Sequence, residues 1–395
     1  MLNTAFEPWP SFTQQEADAV KNVLLSNKVN YWTGQECREF EKEFATFSGT
    51  KFAIALANGT VALDVALKAL CIGAGDDVIV TSRTFLASAS SIVTAGANPI
   101  FADVELDSQN ISRRTIEAVL TPKTKAIICV HLAGWMCDMD PIMQLAEEKG
   151  LYVIEDCAQA HGAQYNGKPA GSIGHISAWS FCQDKIMTTG GEGGMVTTND
   201  ENLWKKMWSY KDHGKSFDSI YNKQHPPGFR WLHDSFGTNW RMMEMQAVIG
   251  RIQLTRMLEW TKNRTQNAEK ILKAFENSPY FTVHRPADHY VHAHYKCYVQ
   301  INLDTLPEGW SRDRVMQEIN AQQVPCFSGS CSEVYLEHAF DNTPWRPVER
   351  LKNAKQLGET SLMFLVHPNL SEESLIKTVD AIQTVQAAMT KPATK

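Results

Sequence analysis

Apolar and polar positions repeat with two different periods over the first half of the chain. Phe52-Ala53-Ile54-Ala55-Leu56, Asp77-Val78-Ile79-Val80-Thr81, Pro99 to Val104, Lys125 to Leu132 and Leu151 to Cys157 are short apolar runs of strand length. Segments of helical period lie between them: Thr60 to Leu70, about Phe85 to Ala95, one ahead of Lys125, and Asp140 to Lys149. Before the first strand, Thr13 and Glu16 stand at capping-box spacing and open a helix to about Ser26. A second amphipathic helix follows Gly34, with Phe40, Phe44 and Phe47 on one face. Strands alternating with helices predict βαβ units and a largely parallel sheet covered on both faces.

Further along, Ala178-Trp179-Ser180-Phe181 is strand-like, and Gly190 to Gly194 reads as a turn that returns the strand Met195-Val196-Thr197-Thr198 beside Ser180. Arg241 to Phe275 is mostly helical and bridges to a looser pattern. That pattern holds strands at Phe281 to His284 and Lys296 to Leu303, a helix from Arg312 to Ala321, and a last helix from Glu372 to about Ala388. The expected architecture is α/β: a three-layer α/β/α large domain over residues 13–260 and a smaller α+β C-terminal domain over 261–395. Residues 1–12 are expected to pack nearby, and the tail from Thr390 to Lys395 to fray. No internal repeat or low-complexity tract interrupts this plan.

Ligands of such sheets bind beyond the carboxyl ends of the strands, and the chemistry-bearing residues gather there. Lys185 follows a strand and precedes Gly190-Gly191-Glu192-Gly193-Gly194; a lysine drawn out of solvent loses its proton more readily and becomes a nucleophile. Asp156 ends the buried run Val153-Ile154-Glu155, where a carboxylate needs a strong partner such as a protonated pyridine nitrogen. A helix N-cap, with a helix beginning at Ala158-Gln159, is the competing reading. Asn58-Gly59-Thr60 is a turn into a helix start, which aims free N–H groups at a phosphate; Thr60 as an ordinary cap is the alternative. Gln159 stands close enough to reach a ring oxygen, and Ser180 could donate to the phosphate. Phe85 could stack on a planar cofactor or simply pack in the core. His161 and His213 read as structural. Lysine, aspartate and phosphate cradle together are the set that pyridoxal 5'-phosphate (PLP) requires.

Composition narrows the classes. A net charge of -6, with no basic stripe interleaved with aromatics, argues against a nucleic-acid partner. No apolar run approaches the roughly 20 residues of a membrane span. The start Met1-Leu2-Asn3-Thr4-Ala5-Phe6 has no signal-peptide pattern, so a cytoplasmic protein is expected. Nine cysteines without a Cys-x-x-Cys pair read as reduced structural thiols, and no metal is expected.

At this point the chain resembles the DegT/StrS-type sugar-nucleotide aminotransferases, a branch of the fold type I PLP enzymes. The resemblance runs through nearly the whole chain and is densest at Ala57 to Leu63, Glu155 to Gly162, and Ser180 to Asn199. Gly237-Thr238-Asn239-Trp240-Arg241-Met242 matches the family's Gly-x-Asn-x-Arg-Met segment. The resemblance implies Lys185 as Schiff-base lysine, Asp156 as pyridinium partner and Gln159 beside the ring hydroxyl. It implies Gly59, Thr60 and Ser180 at the phosphate, Phe85 as stacking ring, and Asn239 reaching the phosphate of a neighbouring subunit in a homodimer with shared sites. Asn58, where Ser is common, and Cys182, where His or Tyr is common, depart from the pattern.

The expected activity is transfer of an amine, with glutamate as donor, to a nucleotide-linked 4-keto-6-deoxy sugar for surface polysaccharide or O-antigen. Ser328-Gly329-Ser330-Cys331 and Gln183-Asp184-Lys185 resemble makers of 4-amino sugars. Ser361 to Pro368 contains no arginine of the kind that clamps the α-carboxylate in amino-acid aminotransferases. The alternatives are a sugar 3-aminotransferase, a dehydratase, for which some relatives exchange the lysine for histidine, and a PLP-binding regulatory protein without turnover.

Overall fold

A computed structural model describes residues 5–390; the expected frayed tail falls mostly outside these. After the helices α1 (Gln14–Leu25) and α2 (Glu36–Phe47), the chain enters the alternation: β1 (Phe52–Leu56), α3 (Gly59–Ala69), β2 (Asp77–Thr81), α4 (Leu86–Thr94), β3 (Asn98–Ala102), α5 (Arg113–Glu117), β4 (Thr124–Val130), α6 (Met139–Lys149) and β5 (Tyr152–Asp156). Two-residue strands β6 (Gln164–Tyr165) and β7 (Lys168–Pro169) precede β8 (Ile176–Ser180) and β9 (Gly194–Thr198). The seven long strands form one sheet in the order β1-β9-β8-β5-β4-β2-β3. Only β9 runs against its neighbours β1 and β8; every other pairing is parallel.

Strand alternation splits the sheet's side chains between two cores. Ala53, Ala55, Ile79, Ile127, Val153, Trp179 and Met195 pack with Phe40, Phe44, Ile142 and Leu145 of α2 and α6. Ile54, Leu56, Val78, Val80, Ile128, Ile154, Ala178 and Val196 pack with α3, α4 and the helix α7 (Glu201–Lys211). The central strands therefore read as continuous apolar runs. Helix α7 carries no expectation from the sequence pattern; Asp200 caps it by accepting from the amides of Asn202 and Leu203 at 2.7 and 3.0 Å.

Past the short α8 (Phe217–Tyr221), α9 (Glu244–Leu254) and α10 (Met257–Phe275) lead to a third core. It is built on the antiparallel sheet β10-β12-β14-β13, from β10 (Phe281–Thr282), β12 (Cys297–Ile301), β13 (Cys326–Phe327) and β14 (Ser361–Phe364), with α11 (Arg312–Ala321) and α13 (Glu372–Met389) against it; β11 (Tyr290–Val291) pairs instead with β6. Helix α10 spans the two regions. Met257 and Trp260 belong to the large core, and Ala268, Ile271, Leu272 and Phe275 to the small one. The partition is less simple than the sequence suggests, because Val334, Tyr335 and Phe340, and then Ala354 and Leu357 of α12 (Lys352–Thr360), return to the large cores.

The end of β5 is pinned by Glu155, fully buried, whose carboxylate accepts from the amides of Gly171, Ile173 and Gly174 at 3.0, 2.9 and 2.6 Å and faces His131 Nε2 at 2.9 Å. His131 Nδ1 accepts from the Cys137 amide at 3.1 Å, which fixes the imidazole as the Nε2–H tautomer. Burial alone would raise the carboxyl's pKa, but His131 and the amides together hold it below its ordinary 4.5. Glu155→Ala leaves three amides without an acceptor in a dry interior, and is expected to lower unfolding free energy by about 3–5 kcal/mol in urea denaturation. A loss under about 1 kcal/mol would contradict this account. Because the folded-state value is depressed, Glu155's contribution is present above about pH 4.5 and fades on further acidification, so the gap between wild type and variant should narrow there.

Candidate active site

The reversed strand β9 determines where the lysine lies. The chain leaves β8 at Ser180, loops through Lys185 and Gly190–Gly193, and re-enters the sheet at Gly194, which pairs with Ser180 on one side and Leu56 on the other. The carboxyl ends of β1 and β8 and the lysine loop thus meet at one edge.

The start of α3 presses on this edge. Asn58 is the cap, its Oδ1 accepting from the Val61 amide at 3.0 Å, and Gly59 and Thr60 are the first helical residues. Thr60 is therefore not the cap, and its amide and hydroxyl stay at the exposed helix N-terminus, where the helix dipole favours an anion. Side chains are excluded at two points. A Cβ on Gly59 would stand 2.6 Å from Ser180 Cβ, and one on Gly194 would stand 2.2 Å from the Asn58 carbonyl oxygen. Gly59 and Ser180 are thus brought into contact, with Thr60 following in the first turn of the helix.

Asp156 is 6% exposed at the mouth of β5. Its Oδ2 accepts from Ser88 Oγ at 2.7 Å and its Oδ1 from the Ala158 amide at 3.1 Å. No helix begins at Ala158-Gln159; the segment is a turn, so the capping alternative falls away. Ser88 in turn bonds Thr84 Oγ1 at 2.8 Å, which ties the carboxylate to the segment bearing Phe85. Phe85 precedes α4 with its ring 71% exposed, so it presents a face rather than filling the core. Gln159 Oε1 accepts from the Ala133 amide at 2.8 Å; with the carbonyl end engaged, the NH2 end is left as a donor to a ligand oxygen.

Lys185 is half-buried, its Nζ 5.2 Å from the centre of the Tyr295 ring. Tyr295 donates its hydroxyl to Asp184 at 2.5 Å, and Trp9 donates its indole N–H to the Lys185 carbonyl at 2.8 Å. Burial would raise the Asp184 carboxyl's pKa, but Lys185, the Tyr295 hydroxyl and Lys296 outweigh it and hold it low.

Asn239 lies on the segment between α8 and α9. It is exposed and paired by backbone with Asp212, while the next carbonyl, of Trp240, accepts from Ala57. His161 is buried between Trp179 and Phe181, ring centres 5.1 and 5.6 Å away, with neither nitrogen hydrogen-bonded among the described residues; burial pushes it down to about 3. It is a neutral packing residue. Ser88, Ala133, Trp9 and Tyr295 were not anticipated. Ser88 is local to the Thr84-Phe85 pair, four residues after Thr84 in the first turn of α4; the others are contacts across distant sequence. The buried anchors, the cradle that a Cβ would fill, the oriented amide and the exposed ring fit PLP.

The profile of the DegT/DnrJ/EryC1/StrS aminotransferase family matches residues 10–383. A GDP-perosamine synthase of Escherichia coli O157:H7 is 40% identical over 382 residues, covering 94% of this chain and 96% of its own. A UDP-N-acetyl-3-dehydro-alpha-D-glucosamine 3-aminotransferase of Acidithiobacillus ferrooxidans is 34% identical, covering 91% of each. The X-ray structure of an aminotransferase from Psychrobacter cryohalolentis superposes with a TM-score of 0.97 at 65% identity, covering 98% of this chain and all of that one. With the match spanning the lysine loop, the cradle and both carboxylates of β5, the chain belongs to the DegT/DnrJ/EryC1/StrS aminotransferase family.

Proposed function

We propose that this aminotransferase converts a nucleotide-linked 4-keto-6-deoxy sugar to the 4-amino sugar, with L-glutamate as donor, in the cytoplasm and for surface polysaccharide. The observation that carries the reading is that Asp156 pairs across the sheet with Ala178, two residues before Ser180, that Gly59 packs against Ser180, and that Lys185 lies on the loop leaving the same strand. Carbon 4 is favoured over carbon 3 by the resemblance of Ser328–Cys331 and Gln183–Lys185 to makers of 4-amino sugars. All nine cysteines are free, which suits a reducing compartment.

The family's cofactor is PLP. When bound, it supplies a carbonyl that accepts the donor's amine and a ring that stores an electron pair. The chain's own residues do the rest. The amides of Gly59 and Thr60, with Ser180 Oγ, hold the phosphate. Asp156, steadied by Ser88, keeps the pyridine nitrogen protonated, and the NH2 of Gln159 donates to the ring oxygen. Phe85 covers one face. Lys185 Nζ anchors the cofactor, then takes and returns the proton at the carbon that gains or loses nitrogen. Glutamate leaves as 2-oxoglutarate with uptake of one water, and the sugar ketone takes up the amine with release of one water, so none is consumed overall. We assign the exposed Asn239 to the phosphate in a second copy, as the family resemblance implies, which makes the working unit a homodimer.

Incubation with glutamate and a panel of UDP-, dTDP- and GDP-linked 4-keto-6-deoxy sugars, followed by mass spectrometry and NMR, is expected to yield one sugar aminated at carbon 4. Amination at carbon 3, or of no sugar in the panel, would refute the substrate assignment.

Lys185→Ala is expected to reduce turnover by about 10⁴-fold or more, since anchor and proton carrier disappear together. Cofactor affinity should weaken yet stay measurable by fluorescence titration, because Asp156 and the cradle remain. Substantial residual transamination would remove Lys185 from its assigned role.

A further inference from the structure

An amino donor with two carboxylates calls for cationic recognition, and Ser361 to Pro368 contains no arginine. A cavity of about 720 Å³ beside that segment holds cations from elsewhere in the chain. It lies between the N-terminal segment, the lysine loop and the small domain, with Glu7, Trp9, Asp184, Arg264, Tyr295 and Lys296 among its walls. Arg264 of α10 is 1% exposed. Its Nη1 donates to the carbonyls of His294 and Tyr295 at 3.3 and 3.4 Å, while Nε and Nη2 have no hydrogen-bond partner among the described residues. Leaving such donors unmade in the interior is costly unless a ligand completes them. Burial, only partly offset by Tyr295, pushes the guanidinium down to about 9. Burial likewise lowers Lys296 to about 8, against the pull of Asp184.

Trp9 roofs the arginine, its ring 4.9 Å from the guanidinium carbon, and stacks on His367 at 5.7 Å. The acidic members of the wall are Asp184, bonded by Tyr295, and Glu7, bonded by Ser374 at 2.9 Å. Two cations facing two carboxylates suit a zwitterion and would repel part of a nucleotide diphosphate. The cavity also adjoins the lysine, since Tyr295 lines it and its ring lies 5.2 Å from Lys185 Nζ.

We propose that this cavity is the subsite for the amino donor's carboxylates, with Arg264 and Lys296 as the recognising groups under a roof formed by Trp9. The inference rests on glutamate being the donor.

Glutarate, which has both carboxylates and no amine, is the binding probe, titrated calorimetrically into the PLP-loaded enzyme. Saturable binding is expected for wild type and at least about tenfold weaker binding for Arg264→Gln and for Lys296→Gln, with Arg264→Lys closer to wild type. In single-turnover absorbance, each Gln variant should lose at least about tenfold more in the glutamate half-reaction than in the sugar half-reaction. Lys296→Gln keeps the test valid if Arg264→Gln does not fold. Failure of wild type to bind glutarate, equal binding by all variants, or equal losses in both half-reactions would overturn the subsite. Wild type that binds glutarate but takes no amine from glutamate would sink the donor assignment, and with it the donor role of the cavity, while leaving dicarboxylate binding there established.

Discussion

Two consecutive carboxylates end the central strand β5, and the rest of the site depends on the pleat sending them to opposite faces. Glu155 turns into the interior, where three loop amides and His131 surround it. Asp156 turns toward α4 and Ser88. The first charge immobilises the strand end and the Gly171–Gly174 loop; the second is thereby presented at a fixed height above the sheet. Burying a carboxylate against this many donors is tolerable only because all of them are satisfied.

The parallel sheet was readable from the sequence because its strands are buried on both faces, which turns each into an apolar run bounded by turns. The helices around it were readable from their periodicity, and the small domain less so. Helix α7 is hard to read from the sequence because its buried face mixes Leu203, Met207 and Trp208 with a buried lysine, Lys211, and further lysines stand between them. Strand β14 is only four residues long and takes its definition from β12 and β13 on either side.

The site was legible as residue types but not as partnerships. Lys185, Asp156, Gln159, Gly59 and Ser180 announce themselves at strand ends. Nothing local announces that Gln159 is oriented by the Ala133 amide, or that Arg264 lies under Trp9, because those contacts join segments far apart in the chain. Thr60 and Ala158 illustrate the converse. Local rules offered a cap and a helix start, and tertiary packing used Asn58 and a turn instead.

The missing side chain at Gly194 has a mechanical consequence. With the Asn58 carbonyl lying where a Cβ would stand, the first residue of the return strand and the first turn of α3 move as one solid piece. A shift of the return strand cannot be absorbed there without moving Asn58 and the start of α3. Variation in shape is then left to segments outside this contact, such as the largely exposed 222–237 stretch, which can change without disturbing the junction of β9 and α3.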